Sequence, residues 1–455
     1  MIADPRRFDH VCIIGGGFSG TLQAINLLRY DGPRATLIER QPAAARGVAY
    51  STTEPAHLLN VRASNMSAFP DEPDDFVTWL AARGISSPQF VSRKIYGDYL
   101  AELLRQASRD APGRLEIRHA AATEINLSPS RAQIVLDNGD RIGADAAVIA
   151  IGNLPPIDPP RVVGEDLPDT LYVSNPWSSD IAEGLRDTDS VIIAGTGLTM
   201  VDVALSLEAA GFRGKIVAIS RHGLLPRGHV DGALPPARLP QRPGARGSDL
   251  LHDIRKRARE IGWRDALDEV RPYTQGMWLD ASFDQQARFL RHLRPWWDVH
   301  RHRLAPEVAA RIGAMRESGQ LTALAGAFRS CRVSNGEIEI GWRPRGSDAL
   351  KTDRFARFFN CTGPQGDLLR TRESFLRLLL AGGHIRPDKH RLGIDVNAQA
   401  ETIDVNGNAN PHLLAIGPVT RGAFWEIVAV PDIRVQTWNL ARKLSHAHWV
   451  GGEGL

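Results

Sequence analysis

One pattern of strand, glycine turn and helix occurs twice in this chain, and it limits the possible folds more than any other feature. Val11-Cys12-Ile13-Ile14 is an unbroken apolar run, as expected of a parallel strand covered on both faces. It leads directly into Gly15-Gly16-Gly17-Phe18-Ser19-Gly20, which has GxGxxG spacing, and then into a helical pattern over Thr21 to Arg29. Ala35-Thr36-Leu37-Ile38 returns as a second strand and ends at Glu39. About 180 residues later the order repeats. Ser190 to Ala194 is a strand, Gly195-Thr196-Gly197-Leu198-Thr199-Met200 a glycine turn, Val201 to Ala210 a helix, and Ile216 to Ser220 the returning strand. Each is a complete βαβ unit.

Glycines at this spacing allow a tight strand-to-helix turn, close approach of a pyrophosphate to the backbone, and close packing of the helix on the strand. The pyrophosphate would rest on unpaired N–H groups at the helix start, where the helix dipole also favours negative charge. In the first unit, Gly15, Gly17, Phe18, Ser19 and Gly20 are the expected contacts, with Arg40 beside them and Gly152 at the end of a neighbouring strand. Glu39 stands where a carboxylate accepts from a ribose 2′-hydroxyl and repels a 2′-phosphate, which selects FAD or NAD. In the second unit Gly195, Gly197 and Thr199 form the turn, with Met200 in place of the third glycine. Its returning strand ends in Ser220-Arg221-His222 instead of an acid. Arginine pairs with phosphate through two parallel hydrogen bonds and serine adds a third, so this end suits the 2′-phosphate of NADPH. A plain glycine loop and a solvated basic strand end are the bland alternatives. Two unlike ribose signals in one chain point to two cofactors, a resident FAD and a visiting NADPH.

Other punctuation sets the organisation. Asn138-Gly139 predicts a hairpin turn that leads into a buried strand, Ala146 to Ile151, stopping at Gly152. Pro155, Pro156, Pro159 and Pro160 then make a stiff crossing. Arg357 to Cys361 followed by Gly363, and Leu413 to Ile416 followed by Gly417, read as two more strands that stop on glycine. Residues 226–247 are proline-rich. Helical patterns follow, one from Ser248 and another from Ser282 through Leu293. The expected fold is α/β, with two Rossmann-type three-layer dinucleotide-binding domains. The FAD domain is discontinuous, residues 1–160 and 360–455; the NAD(P)H domain is 161–359, with a helical insertion at about 228–306.

Composition narrows the class. The 55 Lys+Arg against 52 Asp+Glu leave a net charge of +3, too small to grip a polyanionic backbone, so nucleic acid is not expected as a partner. Cys12, Cys331 and Cys361 form no CxxC pair, which removes both a disulfide scaffold and a dithiol relay. Asp4, Pro5, Arg6 and Arg7 with the short apolar run after them do not read as a signal peptide, and no run reaches the ~20 apolar residues of a spanning helix, so a cytoplasmic protein is expected. His292, His300 and His302 lack companions at ligand spacing, so no metal site is expected. Trp263, Trp278, Trp296 and Trp297 crowd the insertion, where packing is the commoner role.

Further segments carry a family resemblance: His57-Leu58-Leu59-Asn60-Val61-Arg62-Ala63-Ser64-Asn65-Met66, Gly97-Asp98-Tyr99-Leu100, Ser220-Arg221-His222-Gly223-Leu224-Leu225-Pro226-Arg227, and Trp425-Glu426-Ile427-Val428-Ala429-Val430-Pro431-Asp432. With the two glycine turns they span nearly the whole chain. The sequence resembles the FAD/NAD(P)-binding flavoproteins with two dinucleotide domains, in a bacterial branch similar to the aspartate N-monooxygenases and more distantly to the ornithine and lysine N-hydroxylases. That resemblance implies that the segment ending at Tyr50 and the Leu59-Asn60 pair pass near the flavin, and that Gly417 and the stretch around Trp425 close over its ring. It also implies a catalytic asparagine at the reactive edge, for which Asn60 and Asn65 are the candidates; an amide donates and accepts without titrating. The sequence departs from the pattern at Asp432, where Glu is common, and it lacks the Baeyer–Villiger fingerprint. The implied activity is NADPH-dependent monooxygenation of a small nucleophile, such as an amine or amino acid, through a flavin hydroperoxide, with oxygen as co-substrate. An NAD(P)H-dependent flavin reductase and an FAD-binding redox sensor are the alternatives.

Overall fold

The computed structural model describes residues 8–85, 89–159, 167–177, 181–230, 239–244 and 246–445. The N-terminal charges Asp4 to Arg7 and the prolines Pro160, Pro235 and Pro236 lie outside them. In chain order the strands are β1 (His10–Ile14), β2 (Arg34–Glu39), β3 (Leu115–His119), β4 (Ala122–Leu127), β5 (Ala132–Leu136), β6 (Arg141–Ala144) and β7 (Ala146–Ile149). Next come β8 (Tyr172–Val173), β9 (Ser190–Ala194), β10 (Lys215–Ser220), β11 (Leu321–Ser334), β12 (Glu337–Pro344), β13 (Lys351–Phe355) and β14 (Arg357–Asn360). The last two are β15 (Glu401–Ile403) and β16 (Ala409–Ala415).

The chain folds as two compact units. One comprises Met1–Thr53, Arg62–Leu154 and Gly366–Leu455, and the other Glu54–Val61 with Pro155–Gln365. The first holds a six-stranded sheet in the order β15-β16-β7-β1-β2-β3, in which only the edge strand β15 is antiparallel to its neighbour. The wholly buried β1 and β7 are apolar at nearly every position, because helices and a second sheet cover both faces. Each buried Val or Ile contributes roughly 1.5–3 kcal/mol relative to exposure. The second sheet is the meander β4-β5-β6, whose inward-facing Ile125, Ile134 and Leu136 share a core with Ile149 and Leu413. Its hairpin closes at the expected Asn138-Gly139, with Gly139 at φ +87°. β7 stops at Ile149, two residues short of its apolar run's end, and β16 begins at Ala409, four residues before the expected strand from Leu413.

The second unit repeats the design. Its sheet runs β13-β12-β11-β10-β9-β14-β8, with β11-β10-β9-β14-β8 parallel and β12 and β13 folded back as antiparallel strands. In both sheets the first strand of the βαβ unit has its sequence neighbour on one side and a later strand on the other. This is a topological switch point, beyond whose carboxyl end ligands bind in doubly wound folds.

The insertion is helical as expected, with one correction. The segment from Ser282 is not one helix through Leu293; it is α-helical over Phe283–Arg288, turns π-helical at Phe289–Leu293, and restarts as Arg294–Arg301. Pro295 accounts for the break, since it lacks an N–H and cannot continue the hydrogen-bond ladder. Among the described residues no helix is long and apolar enough to cross a membrane.

Candidate functional site

In the first unit the chain rises through β1 into Gly15, whose φ of +104° is open to glycine and strained for other residues. Its N–H donates to the carbonyl of Ile38 at 2.8 Å, locking the turn to the end of β2. A Cβ here would lie 2.6 Å from the carbonyl oxygen of Ala150, just past β7. Gly20 is equally constrained: a Cβ on it would collide with the Gly15 carbonyl oxygen, so the third glycine lets the helix Phe18–Arg29 seat on the turn. That helix starts from Gly17 with no side-chain cap and no acid in its first turn, leaving its leading N–H groups without side-chain partners.

Glu39 closes the far end. It is 7% exposed, and each carboxylate oxygen accepts one backbone bond, Oε2 from Gly16 N–H at 2.8 Å and Oε1 from Gln41 N–H at 2.7 Å. Both oxygens keep lone pairs for ribose hydroxyls. Two further segments wrap the turn: Gly47, at φ +53°, packs against Gly17, and Gly417, at φ +74°, meets Ser19 while its N–H donates to Gln436 Oε1 at 2.7 Å. The bare glycine floor, uncapped helix start and buried carboxylate fit a dinucleotide with an unphosphorylated ribose.

The other expected contacts of this unit divide. Phe18 and Ser19 are buried at the helix start, and Tyr50 packs edge-on against Phe18 and Tyr96, with centroids 6.0 and 4.8 Å away. Gly152, at φ +71°, leaves open space at the end of β7, and Trp425 is buried beneath the Arg421 guanidinium, 4.7 Å from its ring centre. Arg40 is instead exposed and paired with Glu373 at 3.0 Å. Asn65 is exposed on the 3-10 turn Ala63–Asn65.

In the second unit Gly195 repeats Gly15. Its φ is +110°, its N–H donates to Ile219 O at 2.8 Å, and a Cβ on it would collide with the carbonyl oxygen of Cys361, just past β14. Gly197 caps the helix Leu198–Ala209, again without a side-chain bond or an acid in the first turn, and Thr199 is half-buried at its start. Met200, in place of the third glycine, is fully buried.

At the end of β10, Ser220 builds the turn: its Oγ accepts from Gly223 N–H at 2.9 Å and lies 2.9 Å from Thr196 Oγ1, which donates to Leu224 O at 2.6 Å. Arg221 is exposed, and among the described residues no carboxylate pairs with it. Sequence reasoning missed Arg345, whose Nη1 donates to His222 Nδ1 at 2.6 Å. Burial, then Arg345 and Arg221, hold the His222 pKa below its usual value. The half-buried Asn60 belongs to this unit. Its carbonyl accepts from His229 Nε2 at 3.1 Å, and the nearby His57 Nε2 sits 3.1 Å from Asp202 O and 3.0 Å from Ser206 Oγ on the helix Leu198–Ala209. All three cysteines are buried, and burial pushes Cys12 up to about 12 and Cys361 well above its ordinary value, so neither offers a thiolate.

Residues 12–154 match the family model described as FAD-NAD(P)-binding. The chain resembles the FAD/NAD(P)-binding flavoproteins. It is 30% identical over 172 residues to the L-aspartate N-monooxygenase (nitrosuccinate-forming) of Streptomyces cremeus, over 35% of this chain and 25% of that protein. It is 27% identical over 239 residues to a nitrosuccinic acid synthase of Aspergillus oryzae, over 45% of this chain and 36% of that protein. The match thus spans only a quarter to about a third of these relatives' lengths. The fold is like that of the ornithine N-hydroxylase of Kutzneria sp. 744, with a TM-score of 0.67, 13% identity, and coverage of 97% of this chain and 100% of that one.

Proposed function

We propose that this FAD/NAD(P)-binding flavoprotein is an NADPH-dependent monooxygenase that hydroxylates the nitrogen of a small amine or amino acid. The observation that carries the cofactor assignment is the contrast between two turns of like geometry. One ends in the buried carboxylate of Glu39, the other in Arg221, His222 and Arg345 with no carboxylate among the charges acting on His222. The nitrogen substrate is supported by the activities of the two relatives and by the likeness to an ornithine N-hydroxylase.

FAD, when bound, supplies the redox chemistry and the reaction with oxygen. The protein's own residues bind and orient. The N–H groups after Gly17 would hold the diphosphate of FAD, and Glu39 would accept from its adenosine ribose. The N–H groups after Gly197 and the Arg221 guanidinium would hold the corresponding parts of NADPH. Asn60, its carbonyl held by His229, offers a side-chain amide that donates and accepts at neutral pH; Asn65 is the second candidate for this role.

The balanced reaction is amine plus oxygen plus NADPH plus a proton giving hydroxylamine, NADP+ and water. The test is NADPH oxidation and oxygen uptake in the presence of a panel of amines and amino acids, with product analysis. One hydroxylated product per NADPH and per oxygen is expected. Stoichiometric hydrogen peroxide without product, across the panel, would reject monooxygenation in favour of a reductase.

A further inference from the structure

The end of β10 gathers cations from two places far apart in the sequence. Arg221 and His222 follow the strand directly, whereas Arg345 follows β12, in the turn leading to β13. Ala325 on β11 brings them together. Arg345 N–H donates to the Ala325 carbonyl at 2.9 Å, and Gly223, at φ +61°, runs so close that a Cβ on it would lie 2.9 Å from the Ala325 nitrogen. The two chain segments are thus pinned to one residue. The contact they form is unusual in kind: a guanidinium has only donors, so His222 accepts at Nδ1 and carries its proton on Nε2, a neutral ring beside two permanent positive charges. The charged groups acting on it are Arg345 from the hairpin and Arg221 from its own strand end, and both oppose its protonation. The hairpin's Asp348 pairs instead with Arg343, at 3.8 Å. Positive charges gathered with no counter-ion among the described residues call for an anion from solution.

Building on the NADPH assignment, we propose that Arg345 and His222 complete the 2′-phosphate site with Arg221, and that His222 takes up a proton as the phosphate binds. The phosphate relieves the repulsion between the two guanidinia. It accepts from both guanidinia, and His222, released from Arg345, becomes a donor to it. The site therefore selects for the phosphorylated dinucleotide twice, by hydrogen bonding and by a proton that NAD+ does not recruit.

The experiment is calorimetric titration of the purified holoprotein with NADP+ and NAD+, in two buffers of different ionisation enthalpy near neutral pH. Wild type should take up a fraction of a proton with NADP+ and none with NAD+. Arg345→Ala should weaken NADP+ about ten- to a hundredfold and leave NAD+ within about twofold, with Arg345→Lys recovering part of the loss. His222→Gln should abolish the uptake, which separates it from titration of the phosphate itself. An NADP+-selective protein whose selectivity is unmoved by Arg345→Ala, or whose proton uptake survives His222→Gln, overturns this inference and leaves the NADPH assignment standing. A wild type that binds neither dinucleotide, or NAD+ as tightly as NADP+, overturns both.

Discussion

Gly15 and Ala150 approach so closely that a single added carbon on Gly15 would sit 2.6 Å from the Ala150 carbonyl oxygen. The turn after β1 is thereby wedged against the end of β7, and Gly195 is wedged in the same way against Cys361 past β14. The two nucleotide turns are alike in backbone and unlike in the side chains that follow their returning strands.

Alanine at either glycine should therefore separate the two cofactors. The strained φ alone costs about 1–3 kcal/mol, before the clash is relieved by moving the turn. Gly15→Ala is expected to yield protein with little bound flavin that still binds NADP+, and Gly195→Ala yellow protein that has lost NADP+. Flavin absorbance and dinucleotide titration on each variant check this; loss of both ligands from either variant would contradict it.

Glu39→Gln keeps the shape but removes the charge that draws ribose hydroxyls. Hydrogen bonds to charged groups are worth about 1.5–3 kcal/mol, so FAD affinity should fall by about ten- to a hundredfold on reconstitution of the apoprotein. NADP+ affinity should not change.

Much of this was legible in sequence for a local reason. An apolar run, a glycine spacing and a charged strand end fit within about 30 residues, so both βαβ units, with Glu39 and Arg221 after their returning strands' apolar runs, could be read without knowing the fold. Arg345 is a harder case: Asn335-Gly336 marks the β11–β12 hairpin locally, but Arg345 meets His222 across 123 residues only because β11 pairs with β10, which no local signal specifies. Ser220 shows a different limit. Its residue type suits a phosphate donor, yet its hydroxyl accepts the Gly223 N–H and pairs with Thr196, a use that depends on the turn's geometry. Arg40, expected beside the nucleotide, is exposed and pairs with Glu373, distant in sequence. The break at Phe289–Leu293 was foreshadowed by Pro295, which the helical spacing of apolar residues outweighed.

Arg357 braces the second unit. It is 8% exposed and donates to three backbone carbonyls, Thr170 at 2.9 Å, Ile181 at 2.6 Å and Glu183 at 2.6 Å. Arg357→Met leaves those acceptors unsatisfied and should cost about 2–4 kcal/mol in denaturant unfolding. FAD content of the folded protein should be unaffected. A loss below about 0.5 kcal/mol would show that water replaces the brace.

His10 gives the first unit an acid-sensitive contact. Its Nδ1–H donates to Gly143 O at 2.9 Å and its Nε2 lies 2.8 Å from Thr36 Oγ1. Burial, and next the nearby Arg34, lower its pKa below the ordinary 6.5. Below pH 6.5 the unfolded chain binds this proton more readily than the folded one, so the contribution is complete above that value and is lost as pH falls toward the folded-state pKa. His10→Gln should flatten that part of the stability profile; an unchanged slope would assign it to other groups.

The most direct test of the whole account is a count of ligands on one chain. The purified protein, supplied with excess FAD, desalted and then titrated with NADP+, should hold one flavin and bind one NADP+ per polypeptide, with NAD+ far weaker. A protein that stays colourless after incubation with FAD, or one whose NADP+ binding competes with the flavin for a single site, would contradict it.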